Sequence, residues 1–120
     1  MTPFAYLRAA SLADAVARLG ASGEARPLAG GMTLLPAMKH GLAAPGTLVD
    51  LGALEALRGV GFEHGQVRIG AMTTHAAVAA SPLVQERLPA LARLAGGIGD
   101  AQVRHRGTLG GSVANNDPAA

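Results

Sequence analysis

The sequence predicts an α/β fold. Two observations favour this class: a strand, a turn, a helix and a second strand follow one another between residues 26 and 51, and the later helical stretches are separated by glycine or proline. The 120 residues suffice for one domain and include no cysteine, which excludes disulfides and cysteine-held metal clusters in this chain. Because aromatic residues are few, the core is expected to consist mainly of Leu, Val and Ala.

The first helix has recognisable ends. Ser11 can cap it with its hydroxyl oxygen. Asp14, three residues later, places a carboxylate where it can complete the reciprocal hydrogen bonding of a capping box. Gly20 is expected to end this helix.

A βαβ unit follows the first helix. Residues 26–29 are predicted to form a short buried strand, and residues 47–51 a second, β-rich and apolar one. Between them, Thr33 is the expected N-cap of a helix over residues 34–40. Strands joined through a helix in this way are expected to be parallel.

The second half of the chain begins with a predicted strand at residues 66–72. Thr73 or Thr74 then caps a short helix, and the helical pattern restarts at Ser81 and is interrupted at Pro89. Residues 102–106 lead into a glycine-rich loop near the end of the sequence.

Two diglycine loops are the main functional signal. Gly30 and Gly31 precede Thr33, and Gly110 and Gly111 precede Ser112. Glycine allows positive φ and close approach of the backbone, so that the following N–H groups can point at an anion. A single loop of this kind is most simply a tight turn, whereas two similar loops suggest one diphosphate held from two sides. Thr33, Thr74, Thr108 and Ser112 could donate hydroxyl hydrogen bonds to phosphate oxygens, or could merely cap helices.

Several other site classes receive no support. The histidines lack metal-ligand spacing, so the sequence predicts no metal site. No serine or cysteine nucleophile lies in a recognisable nucleophile elbow, so it predicts no catalytic residues. His75, beside Thr74, is the histidine that most merits inspection. A net charge of +2 with scattered arginines argues against a nucleic-acid partner. No signal peptide or membrane span is recognisable, and the absence of cysteine fits the cytoplasm.

Three segments resemble a known family. They are AGGMTLLPAMK at residues 29–39, IGAMTTH at residues 69–75, and QVRHRGTLGGSVANNDPAA at residues 102–120. Together they resemble the FAD-binding medium subunit of molybdenum hydroxylases, the family of aerobic carbon monoxide dehydrogenase and xanthine dehydrogenase. The resemblance covers nearly the whole chain, and its segments occur in the family's order.

The resemblance implies a PCMH-type FAD-binding domain. Residues 1–60 would be its first α/β subdomain and residues 61–120 the start of its second, with FAD between them. Residues 28–34 would wrap the diphosphate from one side and residues 108–112 from the other, while Ile98 falls where the family often places an apolar flavin contact. With Thr74 included, the expected FAD-binding residues are Leu28, Ala29, Gly30, Gly31, Met32, Thr33, Leu34, Thr74, Ile98, Thr108, Leu109, Gly110, Gly111 and Ser112.

The implied function is electron transfer in a flavoprotein oxidoreductase. Electrons would arrive from iron–sulfur clusters in a small subunit, after substrate oxidation in a molybdopterin-containing large subunit, and would leave FAD for an external acceptor. The alternatives are another PCMH-type flavoenzyme, such as an oxidase or the enolpyruvyl reductase of cell-wall synthesis, and a truncated non-catalytic fragment. The sequence is expected to be cut within a longer domain, so that residues 108–120 would be only loosely held and the 120 residues by themselves would bind FAD weakly or not at all.

Overall fold

The computed structural model describes residues 2–117. They form two compact units, one ending at Glu55 and the other beginning at Ala56. The last three residues of the segment at 102–120 lie outside the described residues.

The first unit is a small parallel α/β layer structure. Its elements are β1 (Ala5–Arg8), α1 (Leu12–Gly20), β2 (Ala25–Leu28), α2 (Leu34–Lys39) and β3 (Thr47–Asp50). β3 lies between β1 and β2 and pairs in parallel with both, which confirms the expected parallel pairing of the strands on either side of α2. Right-handed crossovers in opposite directions place α1 and α2 on opposite faces of this sheet. Leu48 and Val49, which point to opposite faces of β3, are accordingly both fully buried.

The start of α1 follows its sequence signals. The Ser11 hydroxyl oxygen accepts a hydrogen bond from the N–H of Asp14 at 3.0 Å. In return, the Asp14 carboxylate accepts one from the N–H of Ala10 at 2.9 Å. The helix ends at Gly20 as expected.

The second unit combines a hairpin with short helices. Its elements are β4 (Val60–Glu63), β5 (Gln66–Ile69), α3 (His75–Ala80), α4 (Pro82–Arg87), α5 (Pro89–Gly96), α6 (Ala101–Arg106) and α7 (Leu109–Asn115). β4 and β5 are antiparallel, and the two residues between them, His64 and Gly65, both have positive φ, as tight hairpin turns require. Val78, Val84 and Ala95 are buried at the centre of the helical core.

Several boundaries in the second unit differ from the sequence prediction. The strand expected at residues 66–72 ends at Ile69, and its partner β4 was not predicted, because its glycine interrupts an already short alternating pattern. The cap at Thr74, the restart of the helical pattern at Ser81 and the interruption at Pro89 are confirmed. The Ser81 hydroxyl oxygen also caps α4, which was not predicted.

Two helices near the end of the chain were missed. Residues 102–106 belong to α6, and residues 109–115, expected to be a loop, form α7. α6 has too few apolar residues for a helical period, and α7 contains a glycine pair, which disfavours helix. Their N-caps, Asp100 and Thr108, were the available signals, since each accepts a hydrogen bond from the N–H three residues later.

Gly70 provides a test of packing at the end of β5. A Cβ atom at this position would lie 2.2 Å from the carbonyl oxygen of Leu57. Backbone cannot move aside as a side chain can, so we expect Gly70→Ala to lower the free energy of unfolding by about 3 kcal/mol. Urea denaturation of the intact protein measures this. Gly61→Ala, where a Cβ meets nothing within 4 Å, is the matched control. Equal unfolding midpoints for the two variants would contradict the packing argument.

Candidate functional site

The first glycine loop lies where open α/β sheets bind ligands. It follows β2, and the three parallel strands bring their carboxyl ends to the same edge of the sheet. The edge is closed by hydrogen bonds that include Ala9 N–H to the Asp50 carbonyl at 3.0 Å and Leu51 N–H to the Leu28 carbonyl at 3.0 Å. The loop therefore starts from a fixed strand end.

The diglycine in this loop is required by backbone geometry. Gly31 has a φ of +77°, a conformation that side chains disfavour, and a Cβ there would lie 2.8 Å from a Leu35 methyl carbon. Gly30 and Gly31 are buried, whereas Met32 and Thr33 are exposed. The flanking residues Leu28, Ala29 and Leu34 are half-buried.

The amide groups of the first loop have no acceptors within residues 2–117. Among the described residues, no acceptor receives a hydrogen bond from the N–H of Gly30, Gly31, Met32, Thr33 or Leu34. Buried main-chain donors are nearly always paired in native proteins. A run of consecutive unpaired N–H groups beside a positive-φ glycine has the donor chemistry of an anion nest.

The expectation that Thr33 caps α2 with its side chain is wrong. Thr33 precedes the helix, but its backbone is helical rather than extended and its hydroxyl makes no capping bond. Pro36 occupies the third helical position and has no N–H to offer, while the N–H of Leu35 donates to the Gly31 carbonyl at 3.2 Å. The Thr33 hydroxyl is thus exposed and not engaged in capping.

The second glycine loop is built differently, because it packs on residues 71–75. Thr74 and Thr108 form an antiparallel bridge. On either side of it, the N–H of His75 donates to the Gly107 carbonyl at 2.9 Å and the N–H of Leu109 donates to the Thr73 carbonyl at 3.0 Å. Two of the segments that resemble the flavoprotein family are therefore one structural element.

The glycine amides of this second loop have partners. Gly110 N–H donates to the Ala71 carbonyl at 2.9 Å, and Gly111 N–H donates to the Thr108 hydroxyl oxygen at 3.0 Å. The expectation that these amides point at an anion is therefore wrong, whereas the expectation that residues 108–120 are loosely held stays a prediction for hydrogen exchange. Gly110 is instead required by close packing, because a Cβ there would lie 2.7 Å from both the Cβ and the carbonyl oxygen of Ala71.

His75 joins this loop through its side chain. Its Nε2 lies 3.0 Å from the Ser112 hydroxyl oxygen, and the imidazole is buried, with 3% of the residue exposed. Burial lowers the pKa of His75 below its ordinary value, since a charged ring would lose its hydration. A neutral histidine therefore contacts Ser112, whose own side chain is at an exposed position.

The remaining expected site residues also lie in the second unit. Thr74 is half-buried and its hydroxyl oxygen accepts the N–H of Ala77 at 3.2 Å, which leaves its hydroxyl hydrogen available to donate. Thr108 is buried. Ile98 is half-buried in the turn between α5 and α6. Sequence reasoning missed the contact between His75 and Ser112, which are 37 residues apart in the chain.

Two further classes of feature were searched for within residues 2–117. No group of three or more potential metal ligands occurs there. Every helix in this part of the chain is too short or too polar to cross a membrane.

Comparison with known proteins identifies the family. Residues 2–120 match the family described as the FAD binding domain in molybdopterin dehydrogenase. The chain is 47% identical over 116 residues to the carbon monoxide dehydrogenase medium chain of Hydrogenophaga pseudoflava, which covers 96% of this chain and 40% of that protein. It is 37% identical over 116 residues to the xanthine dehydrogenase FAD-binding subunit of Escherichia coli O157:H7, with the same coverage of 96% and 40%.

A solved structure gives the same result. The chain superposes on quinoline 2-oxidoreductase from Pseudomonas putida 86 with a TM-score of 0.95 and 36% identity, over 100% of this chain and 42% of that one. The chain thus spans about 40% of the length of the relatives that it matches. It belongs to the family of FAD binding domains of molybdopterin dehydrogenases.

The buried His75 predicts acid sensitivity. Its pKa in the fold lies below the ordinary 6.5 of the unfolded chain, so its contribution to stability is complete above pH 6.5 and is lost as the pH falls below it, because only the unfolded chain then takes up the proton. We expect His75→Gln, which is neutral and can still reach Ser112, to flatten the fall in melting temperature between pH 7.5 and 5.5.

Thermal unfolding across this pH range provides the measurement. The matched control is His64→Asn at the exposed hairpin turn, where asparagine tolerates positive φ. A His75→Gln protein with the same pH dependence as the parent would show that His75 is not the group responsible.

Proposed function

We propose that this chain binds FAD within a molybdenum hydroxylase and forms part of the medium subunit that passes electrons to an external acceptor. The observation that carries the proposal is the run of N–H groups in residues 30–34, at the carboxyl edge of the parallel sheet, that find no acceptor in the described part of the chain. Membership of the FAD-binding family supports the choice of FAD over other diphosphates.

The first loop has the properties that a diphosphate needs. Main-chain donors carry no charge of their own to desolvate and are fixed in direction by the strand before them and the helix after them. Gly31 keeps side-chain atoms out of the turn, and the exposed Thr33 hydroxyl is an additional donor. Leu28, Ala29, Gly30, Met32 and Leu34 complete the segment that we assign to the diphosphate.

The second loop takes a different role in the proposal. All four amides of this loop, those of residues 109–112, donate hydrogen bonds within the protein. The loop would therefore contact a cofactor through its packed surface and its side chains, and not through main-chain N–H groups. We assign cofactor contacts to the exposed Ser112 hydroxyl, to the Thr74 hydroxyl and to the apolar side chain of Ile98. Thr108 supports them from its buried position at the start of α7.

The protein's contribution is placement. Bound FAD supplies the ability to accept and release one or two electrons, and the surrounding chain holds and orients it. The proposed partners are an iron–sulfur small subunit and a molybdopterin large subunit, which fit the naming of the relatives as medium chains. We place the protein in the cytoplasm, in agreement with its lack of cysteine.

Gly31 provides the test of the first loop. We expect Gly31→Ala in the intact protein to reduce the affinity for FAD at least about tenfold, which corresponds to 1.4 kcal/mol. The reason is that relief of the strain at φ +77° and of the contact with Leu35 redirects the amides of the loop. Flavin content after purification and titration of the apoprotein with FAD measure the effect.

Gly41→Ala is the matched control. Gly41 also has positive φ, at +73°, but a Cβ there meets nothing within 4 Å and the residue follows α2 at the end remote from the loop. Both variants carry the same type of backbone strain, and only the first alters the proposed site. Unchanged FAD affinity in Gly31→Ala, or equal losses in both variants, would refute the assignment.

A further inference from the structure

The turn between α5 and α6 is rich in glycine. It carries Ile98 between Gly97 and Gly99, and Gly99 has a φ of +53°. Glycine on both sides gives the backbone at Ile98 many accessible conformations. The direction of the Ile98 side chain therefore has to be fixed by other contacts.

Arg104 supplies such contacts from the following helix. Its Nη1 donates to the carbonyl oxygen of Ile98 at 3.2 Å and to that of Gly99 at 2.9 Å. Hydrogen bonds from a charged donor are shorter and stronger than neutral ones. The guanidinium thus holds the carbonyl groups of Ile98 and Gly99, which fixes the backbone on the C-terminal side of Ile98.

The position of Arg104 is itself fixed. Its N–H donates to the Asp100 carbonyl at 3.0 Å, and the Asp100 carboxylate caps α6 by accepting the N–H of Val103 at 2.9 Å. Arg104 is half-buried, and the Val103 side chain lies against Gly99, 3.0 Å from where a Cβ would be. The anchor of the turn is therefore a short, capped helix rather than a freely moving side chain.

We propose that Arg104 is a positioning residue, which sets the place of the Ile98 side chain against the flavin ring without touching the cofactor. This inference rests on the proposed binding of FAD. The role that it assigns to Arg104 rests on Nη1, which donates to two carbonyl groups of the turn.

The experiment compares two ligands in the intact apoprotein. FAD contains the flavin ring, whereas ADP carries the diphosphate without it. We expect Arg104→Met, which keeps most of the side-chain length but removes the donors, to weaken FAD binding about tenfold and to alter the flavin absorption spectrum, while ADP, measured as a competitor of FAD, keeps its affinity. Arg104→Lys retains charge and a donor and should recover part of the loss. Arg93→Met, an exposed arginine on α5, is the matched control.

A double-mutant cycle separates positioning from general support. If Arg104 acts through Ile98, Arg104→Met should have little further effect in an Ile98→Ala background. Equal weakening of FAD and ADP, additive effects of the two substitutions, or an unaltered Arg104→Met protein would overturn the positioning role. A parent protein that binds no FAD would instead refute the proposed function itself. If Arg104→Met melts below the assay temperature, the affinities for FAD and ADP are compared in Arg104→Gln instead.

Discussion

The two glycine loops differ in where their main-chain N–H groups find acceptors, although their sequences look alike. In the second loop, Gly110 and Gly111 donate to Ala71 and Thr108, and the loop becomes the first turn of a helix. In the first loop, the N–H groups from Gly30 onwards have no acceptor among the described residues. Because unpaired buried donors are costly, the buried N–H groups of Gly30 and Gly31 favour an acceptor from outside the described residues, whereas the amides of the second loop are already paired.

The glycines themselves illustrate why a glycine pattern is ambiguous. Gly31 is required by a positive φ beside Leu35. Gly110 is required because Ala71 leaves no room for a Cβ. Both positions appear as the same letters in the sequence, yet one shapes a turn that exposes donors and the other allows two chain segments to touch. Only the neighbouring backbone, which is remote in sequence for Gly110, distinguishes them.

Local signals predicted much of the fold, and long-range contacts explain most of what they missed. Ser11 and Thr74 cap helices as their sequence contexts predict, because a cap involves only residues three positions apart. Thr33 fails as a cap because Pro36 removes the N–H that it would need, which is a local fact that the sequence contained. The bridge between Thr74 and Thr108 and the contact of His75 with Ser112 join distant segments. No spacing rule in the sequence could have predicted those contacts.

The distribution of donors also constrains how a flavin could be distinguished from other diphosphates. If the main-chain N–H groups in residues 30–34 bind the cofactor as proposed, they would contact oxygen atoms, which any diphosphate offers. Discrimination must then depend on side chains such as Ile98, which an apolar ring can contact and a phosphate cannot. A side chain discriminates only when its own position is fixed, since a mobile contact loses conformational entropy on binding. Arg104 holds the carbonyl groups of Ile98 and Gly99, so under the proposed assignment the selectivity of the second unit would depend on a charged residue that need not meet the ligand.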